Sequence, residues 1–147
     1  MQASPMQTVP GETVFYNISG RNNSRDVIEN AMLSATLPAN TTFDAASSTE
    51  GWMLSGSRAA NQDVYVINIG NVPPGGLMQA VFAVVVSEEA TESIAAPTVS
   101  LNADDGVTTQ VPAAVGNNVT ILTPTGLDVI DEPGQASQQY FLPFVVR

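Results

Sequence analysis

Apolar and polar positions alternate along most of this chain in short runs that end at Gly, Pro, Asn or Asp. Successive strand side chains point to opposite faces, so each run predicts a β-strand with one buried face. Residues 12–19 put Val14, Tyr16 and Ile18 on one face and Thr13, Phe15 and Asn17 on the other, after a Pro10-Gly11 turn. Residues 6–9 read as a preceding edge strand. Residues 27–37 form the next strand, closed by Pro38, which has no N–H to give to a ladder. Residues 42–45 and 52–54 are short candidates around a small-residue loop, and residues 64–69 set Tyr65, Ile67 and Ile69 against Val66 and Asn68. Pro73-Pro74-Gly75-Gly76 is a firm break. Residues 77–87 are apolar on both faces, Phe82, Val84 and Val86 against Val81, Ala83 and Val85, which predicts a strand covered on both sides. Residues 98–102 and 118–123 close the body, and residues 21–26 and 102–106 carry turn signals. No comparable 3.6-residue period is present. Short strands at this spacing predict an all-β antiparallel sandwich.

From Pro124 the pattern changes. Residues 124–139, with Pro, Gly, three acids and several glutamines, read as an acidic flexible linker after a sandwich at 1–123. Residues 140–147 then form an apolar, β-prone extension ending in Arg147.

Composition removes whole classes of chemistry. The 147 residues include no Cys and no His, so disulfides, thiolate metal sites, a cysteine nucleophile and a histidine base are all absent. A nucleophile–base pair would have to come from Ser, Tyr, Arg and acids, and the chain is expected to be non-enzymatic. Charged residues are 12% of the chain, against about 25% for an ordinary soluble domain. The four cations are Arg21, Arg25, Arg58 and Arg147, and the net charge of -10 argues against nucleic acid and against an anionic membrane surface. No apolar run approaches the roughly 18 residues of a spanning helix. The first five residues lack the charged and apolar regions of a signal peptide, so the chain reads as a processed piece of an exported protein or as a cytoplasmic one. The hydroxyl- and amide-rich acidic composition favours an extracellular or cell-surface location.

Five segments in order carry a resemblance: Pro10-Gly11-Glu12-Thr13-Val14-Phe15-Tyr16-Asn17-Ile18, Asn22-Asn23, Thr36-Leu37-Pro38-Ala39-Asn40-Thr41-Thr42-Phe43, Ile69-Gly70-Asn71-Val72-Pro73-Pro74-Gly75 and Asn117-Asn118-Val119-Thr120. Together they resemble the conserved-repeat, immunoglobulin-like domain of unknown function found in bacterial and archaeal cell-surface proteins. Gly20 stands where that family has a strand valine, Ala35 where it has Asp, and Asn40 where it has Gly. The first departure is expected to weaken a strand end, and the last keeps a residue that tolerates positive φ. The resemblance implies an immunoglobulin-like sandwich of about seven or eight strands. It implies a spacer, stalk or lattice module and carries over no catalytic residue. Residues 140–147 also resemble the short Y-L-P-L-V-x-R tails of some bacterial secreted proteins.

Candidate sites are few. Asn102, Asp104 and Asp105 offer hard oxygens to calcium, though Asx-Gly is also a common hairpin turn without metal. Glu88, Glu89 and Glu92 form a second acidic run that also reads as a solvated guard after an apolar strand. No other cofactor is expected. Trp52, beside the loop at 50–51, is either a sugar platform for a glycan-binding module or a plug of the core. Sequons lie at Asn17, Asn22, Asn40 and Asn118. The strongest functional candidate is the extension, with Tyr140, Phe141, Leu142, Phe144, Val145 and Val146 as its apolar set. It reads as the domain's own last strand, as a sorting tag, or as a donor strand that adds to an open sheet edge of another copy and builds head-to-tail polymers. A linker of about 16 residues at about 3.3 Å each would reach tens of ångströms. Residues 10–18 and their neighbours are the expected receiver.

Overall fold

The alternating runs become eleven strands in a computed structural model that describes residues 1–59, 61–103, 108–111 and 118–122. They are β1 (Gln2–Ser4), β2 (Gln7–Thr8), β3 (Thr13–Arg21), β4 (Ile28–Thr36), β5 (Thr41–Phe43), β6 (Met53–Ala59), β7 (Gln62–Val72), β8 (Leu77–Val86), β9 (Val99–Asn102), β10 (Thr108–Val111) and β11 (Thr120–Ile121). A four-stranded antiparallel sheet has the order β1-β3-β8-β5, a five-stranded one the order β10-β9-β4-β7-β6, and β2 pairs with β11 in parallel. The chain stays within one sheet only at the hairpins β6–β7 and β9–β10; the links β3–β4, β4–β5, β5–β6, β7–β8 and β8–β9 all change sheet. Two packed antiparallel sheets joined by such crossings are an immunoglobulin-like sandwich. No helix occurs among the described residues.

Three boundaries differ from the sequence expectation. β1 and β10 have no counterpart in it, and β6 continues well past Leu54. Gly20 does not end β3: it pairs with Met78, and the strand runs on to Arg21. A Cβ at Gly20 would stand 3.2 Å from the Met78 methyl, so the methionine already fills the place of a valine.

The inner faces supply the core. Val14, Tyr16 and Ile18 of β3 and Phe82, Val84 and Val86 of β8 pack against Leu33 and Ala35 of β4, Ile67 of β7 and Val99 of β9. Phe82 is fully buried, with ring centroids of Trp52, Phe43 and Tyr65 at 5.1, 5.2 and 5.8 Å. On the outer face of β8 only Ala83 is buried, as fully as Phe82, and Leu77 and Gln79 are exposed.

The motifs at 20–26 and 69–76 meet at Asn22. Its Nδ2 donates to the carbonyls of Asp26 (2.8 Å) and Val72 (2.9 Å), and its Oδ1 accepts from the Ser24 amide (3.0 Å) and hydroxyl (2.7 Å). Its main chain takes part as well, donating to Gly76 O at 2.9 Å and accepting from Gly75 N at 2.7 Å. Gly75 has φ of 75°, the left-handed region that glycine adopts most readily. The turn after β3 is thereby tied to the turn before β8. Asn22→Ala would leave the buried Val72 carbonyl and part-buried groups of Ser24 and Asp26 short of a bond, and a buried group left so costs about 1–3 kcal/mol. The expected loss is about 3 kcal/mol, read as a lowered thermal midpoint, whereas Asn23→Ala next to it, exposed, should stay within about 0.5 kcal/mol.

Candidate functional site

Trp52 is a core plug. It is 9% exposed, its ring meets Phe82 edge-on, and its indole N–H donates to Val81 O at 2.9 Å. A sugar platform needs an open ring face, and this ring has none to offer. Asn102 lies in β9 and pairs with Met32 and Thr108, with its Nδ2 3.4 Å from Ser34 Oγ. Asp104 and Asp105 lie outside the described residues. Glu88, Glu89 and Glu92 are exposed, and among the described residues no three acids converge on a metal-sized position. Glu88 instead lies over Gly11, whose φ of 86° and missing side chain make room for the carboxylate. Of the sequons, Asn22 is buried and fully engaged, whereas Asn17, Asn40 and Asn118 are exposed. The linker at 124–139 and the extension at 140–147, with all six of its apolar residues, lie outside the described residues.

The expected receiver of a donor strand at 10–18 is not an edge. β3 sits between β1 and β8, and both of its sides are paired along 15–17. Periodicity identifies a strand without revealing whether it is central. The open positions are elsewhere. β5 pairs with β8 only at Val84–Val86. Beyond it, residues 44–49 fold on the Asp44 carboxylate, which accepts from the amides of Ala46 and Ser47, and they finish the edge with side chains. Ser48 Oγ accepts from Ala83 N, and Thr49 bonds Val81 through both its amide and its hydroxyl. Past Val81 no strand among the described residues continues this edge. The alternation of antiparallel bonding turns the main-chain groups of Gln79 and Leu77 the same way as those of Val81 and Ala83, toward the open side. Leu77 is 70% exposed. The remaining edges are blunted: β1 has 3 residues, β10 has 4, and β6 carries an irregularity between Leu54 and Arg58.

A shallow depression lies over the outer face of β3 and β8, lined by Asn17, Ser19, Gln79, Val81 and Thr49, with Ile18 and Ala80 between them. None of these residues is charged. Asn17 pairs with Val81 and Ser19 with Gln79 across the two strands, so their side chains share this face.

No protein-family model matches this sequence, and no curated protein does either. Among solved structures, the chain is similar to an uncharacterised protein from Nocardia farcinica with an immunoglobulin-like fold, at 18% identity over 83% of this chain and 97% of that one, with a TM-score of 0.48. It is also similar to part of an inactive mutant of the GH20 exo-β-N-acetylglucosaminidase from Vibrio harveyi, at 8% identity over 78% of this chain and 16% of that one, with a TM-score of 0.41. Neither likeness assigns an activity or a ligand.

Tyr16 is the one described side chain with a buried polar atom lacking a partner among the described residues: its hydroxyl points into the core. Burial pushes its pKa up to about 12 from the usual 10. Burial also raises Tyr65, helped by the nearby Asp63 carboxylate. The unfolded chain loses its tyrosine protons first, so stability is held below pH 10 and falls as pH rises toward 12. We expect a loss of about 2–3 kcal/mol across that window from Tyr16. In urea titrations Tyr16→Phe should remove most of this alkaline slope, leaving the part due to Tyr65. It should also stabilise the chain at neutral pH by about 1 kcal/mol, because an unpaired hydroxyl leaves the core.

Proposed function

We propose that this chain is a non-enzymatic structural module of an extracellular or cell-surface assembly, akin to the conserved-repeat domains it resembles. Copies join by strand addition through residues 140–147. The observation that carries the reading is the break in pairing along β8: beyond Val81 no strand among the described residues pairs with this edge, and Leu77 beside it is exposed. An added strand would pair its main chain with Gln79 and Leu77 and set its apolar side chains alternately over Leu77 and toward the core. The apolar set Tyr140, Phe141, Leu142, Phe144, Val145 and Val146 suits that role, and Pro143, lacking an N–H, would mark a bend in the docked strand. The shortness of β1 and β10 and the irregularity of β6 make those edges poorer receivers. The acidic composition and the neutral hydroxyls and amides that replace lysine support a location outside the cell.

Light scattering and negative-stain microscopy of the full chain and of a chain lacking 140–147 test the reading. The full chain should form head-to-tail polymers and the shortened one should remain monomeric, with the same thermal midpoint. Polymerisation that survives the deletion would overturn it.

A further inference from the structure

The depression over β3 and β8 gathers polar side chains that the fold leaves unused. Elsewhere, strand asparagines serve the fold: Asn68 Oδ1 accepts from Gly70 N, Asn71 Oδ1 from Asn30 N, and Asn102 Nδ2 reaches Ser34. Ser24, Ser34, Ser48 and Thr49 are likewise spent on main-chain or side-chain partners. Asn17, Ser19 and Gln79 are not. All three are exposed, they converge on one concave patch, and their side chains make no hydrogen bond to any described residue. Asn17 and Gln79 each carry two donors and an acceptor, and Ser19 carries one of each kind.

Charge narrows the ligand. The chain has 14 acids and a net charge of -10, yet none of the residues lining this depression is ionisable. A phosphate or carboxylate ligand would meet no cation among the lining residues, and a cationic one no carboxylate; Arg21, two residues past Ser19 on β3, is turned aside and donates from Nε to Gly75 O at 3.1 Å. Phe15 adds an apolar surface on the same outer face. It lies two residues before Asn17 on β3, about 7 Å along the strand, and is 37% exposed. Among the described residues it is the most exposed aromatic ring. A ligand matching these groups is neutral, rich in hydroxyls at its edge and C–H on its face.

We propose that the outer face of β3 and β8 is a binding site for neutral saccharides, with the amides of Asn17 and Gln79 and the hydroxyl of Ser19 pairing sugar hydroxyls and Phe15 flanking the ring. The site is independent of strand addition, since the sugar lies above the sheet whereas an added strand lies in its plane. It also replaces Trp52 as the sugar-contacting residue. The affinity is modest, as expected for a shallow site with few anchors.

The test is calorimetric or NMR titration of the full chain with neutral gluco-, manno- and N-acetylglucosamine oligosaccharides, alongside an anionic uronic-acid oligosaccharide. At least one neutral series should bind and the anionic one should not. Gln79→Ala and Asn17→Ala, both at exposed positions, should each weaken binding about tenfold, the effect of one lost hydrogen-bonding pair near 1.4 kcal/mol. Their thermal midpoints should be unchanged. Glu88→Gln, away from the depression, should bind as the parent does. No binding by any neutral series, equal binding of the anionic series, or unaltered binding by both amide variants would overturn the site. So would mass spectrometry of the chain from its source showing a glycan attached at Asn17, since the depression would then be filled covalently.

Discussion

The sandwich depends on the ring of Phe82. It projects from β8 into the space between the sheets and meets Phe43 on its own sheet, Tyr65 on the facing one and Trp52 on the segment that passes between them. Sheets pack about 10 Å apart, a gap that small aliphatics alone would fill loosely. The residues around this cluster are short: Ala35, Ala80 and Val84 line the same core. Removing Phe82 would open a void touched by four segments at once, and such losses run to about 3–5 kcal/mol.

That cluster also explains where the edge of β8 opens. Trp52 reaches under Val81 and spends its N–H on the same carbonyl that Thr49 N uses. The chain is drawn inward there to seat the indole, so it leaves the plane of the sheet and does not follow β8 down to Leu77. Residues 44–49 end the edge with hydroxyls in place of main-chain groups, which is possible because serine and threonine sit where the strand stops. The open edge and the buried tryptophan are one event in the folding of residues 44–52. A continuous β5 running to Leu77 would have to give up the Trp52–Phe82 contact.

Most of the fold was legible because the period of two is strong where one face is buried. Strands β3, β4, β7 and β8 all follow it, while the two-faced apolar pattern of β8 overstates its cover: on the outer face only Ala83 is buried, and Leu77 and Gln79 are exposed. β1 escaped notice because Gln2-Ala3-Ser4 has one small apolar residue, and its strand state comes from pairing with Phe15, Tyr16 and Asn17. β10 has β-branched threonines that could have signalled it, but its pattern is too polar to show a buried face. The order of strands within a sheet was not legible at all. Periodicity says which face is buried and is silent on neighbours, so within the expected receiver, residues 10–18 and their neighbours, it does not separate β3, paired on both sides at 15–17, from its neighbour β8. Sequence leaves the role of Trp52 open for a related reason: an aromatic beside a Gly turn reads the same whether its ring faces solvent or, as here, is buried beside an exposed Gly51.

The scarcity of charge ties these observations together. A chain with 12% charged residues must hydrate itself through amides and hydroxyls, and the sandwich consumes many of those groups internally. Asn22 closes two turns, Asp44 shapes a loop, and Ser48 and Thr49 complete a strand edge. Where the fold has already used its polar side chains, surface amides that remain unspent stand out. Asn17, Ser19 and Gln79 are unspent together and on one face, at cross-strand positions fixed by the β3–β8 register. A shift of that register by one residue would turn all three toward the core and Tyr16, Ile18 and Ala80 outward. The burial that locks the register for the core therefore also fixes the geometry of the neutral face. Any ligand that reads this face is reading a pattern held by the pairing of two core strands.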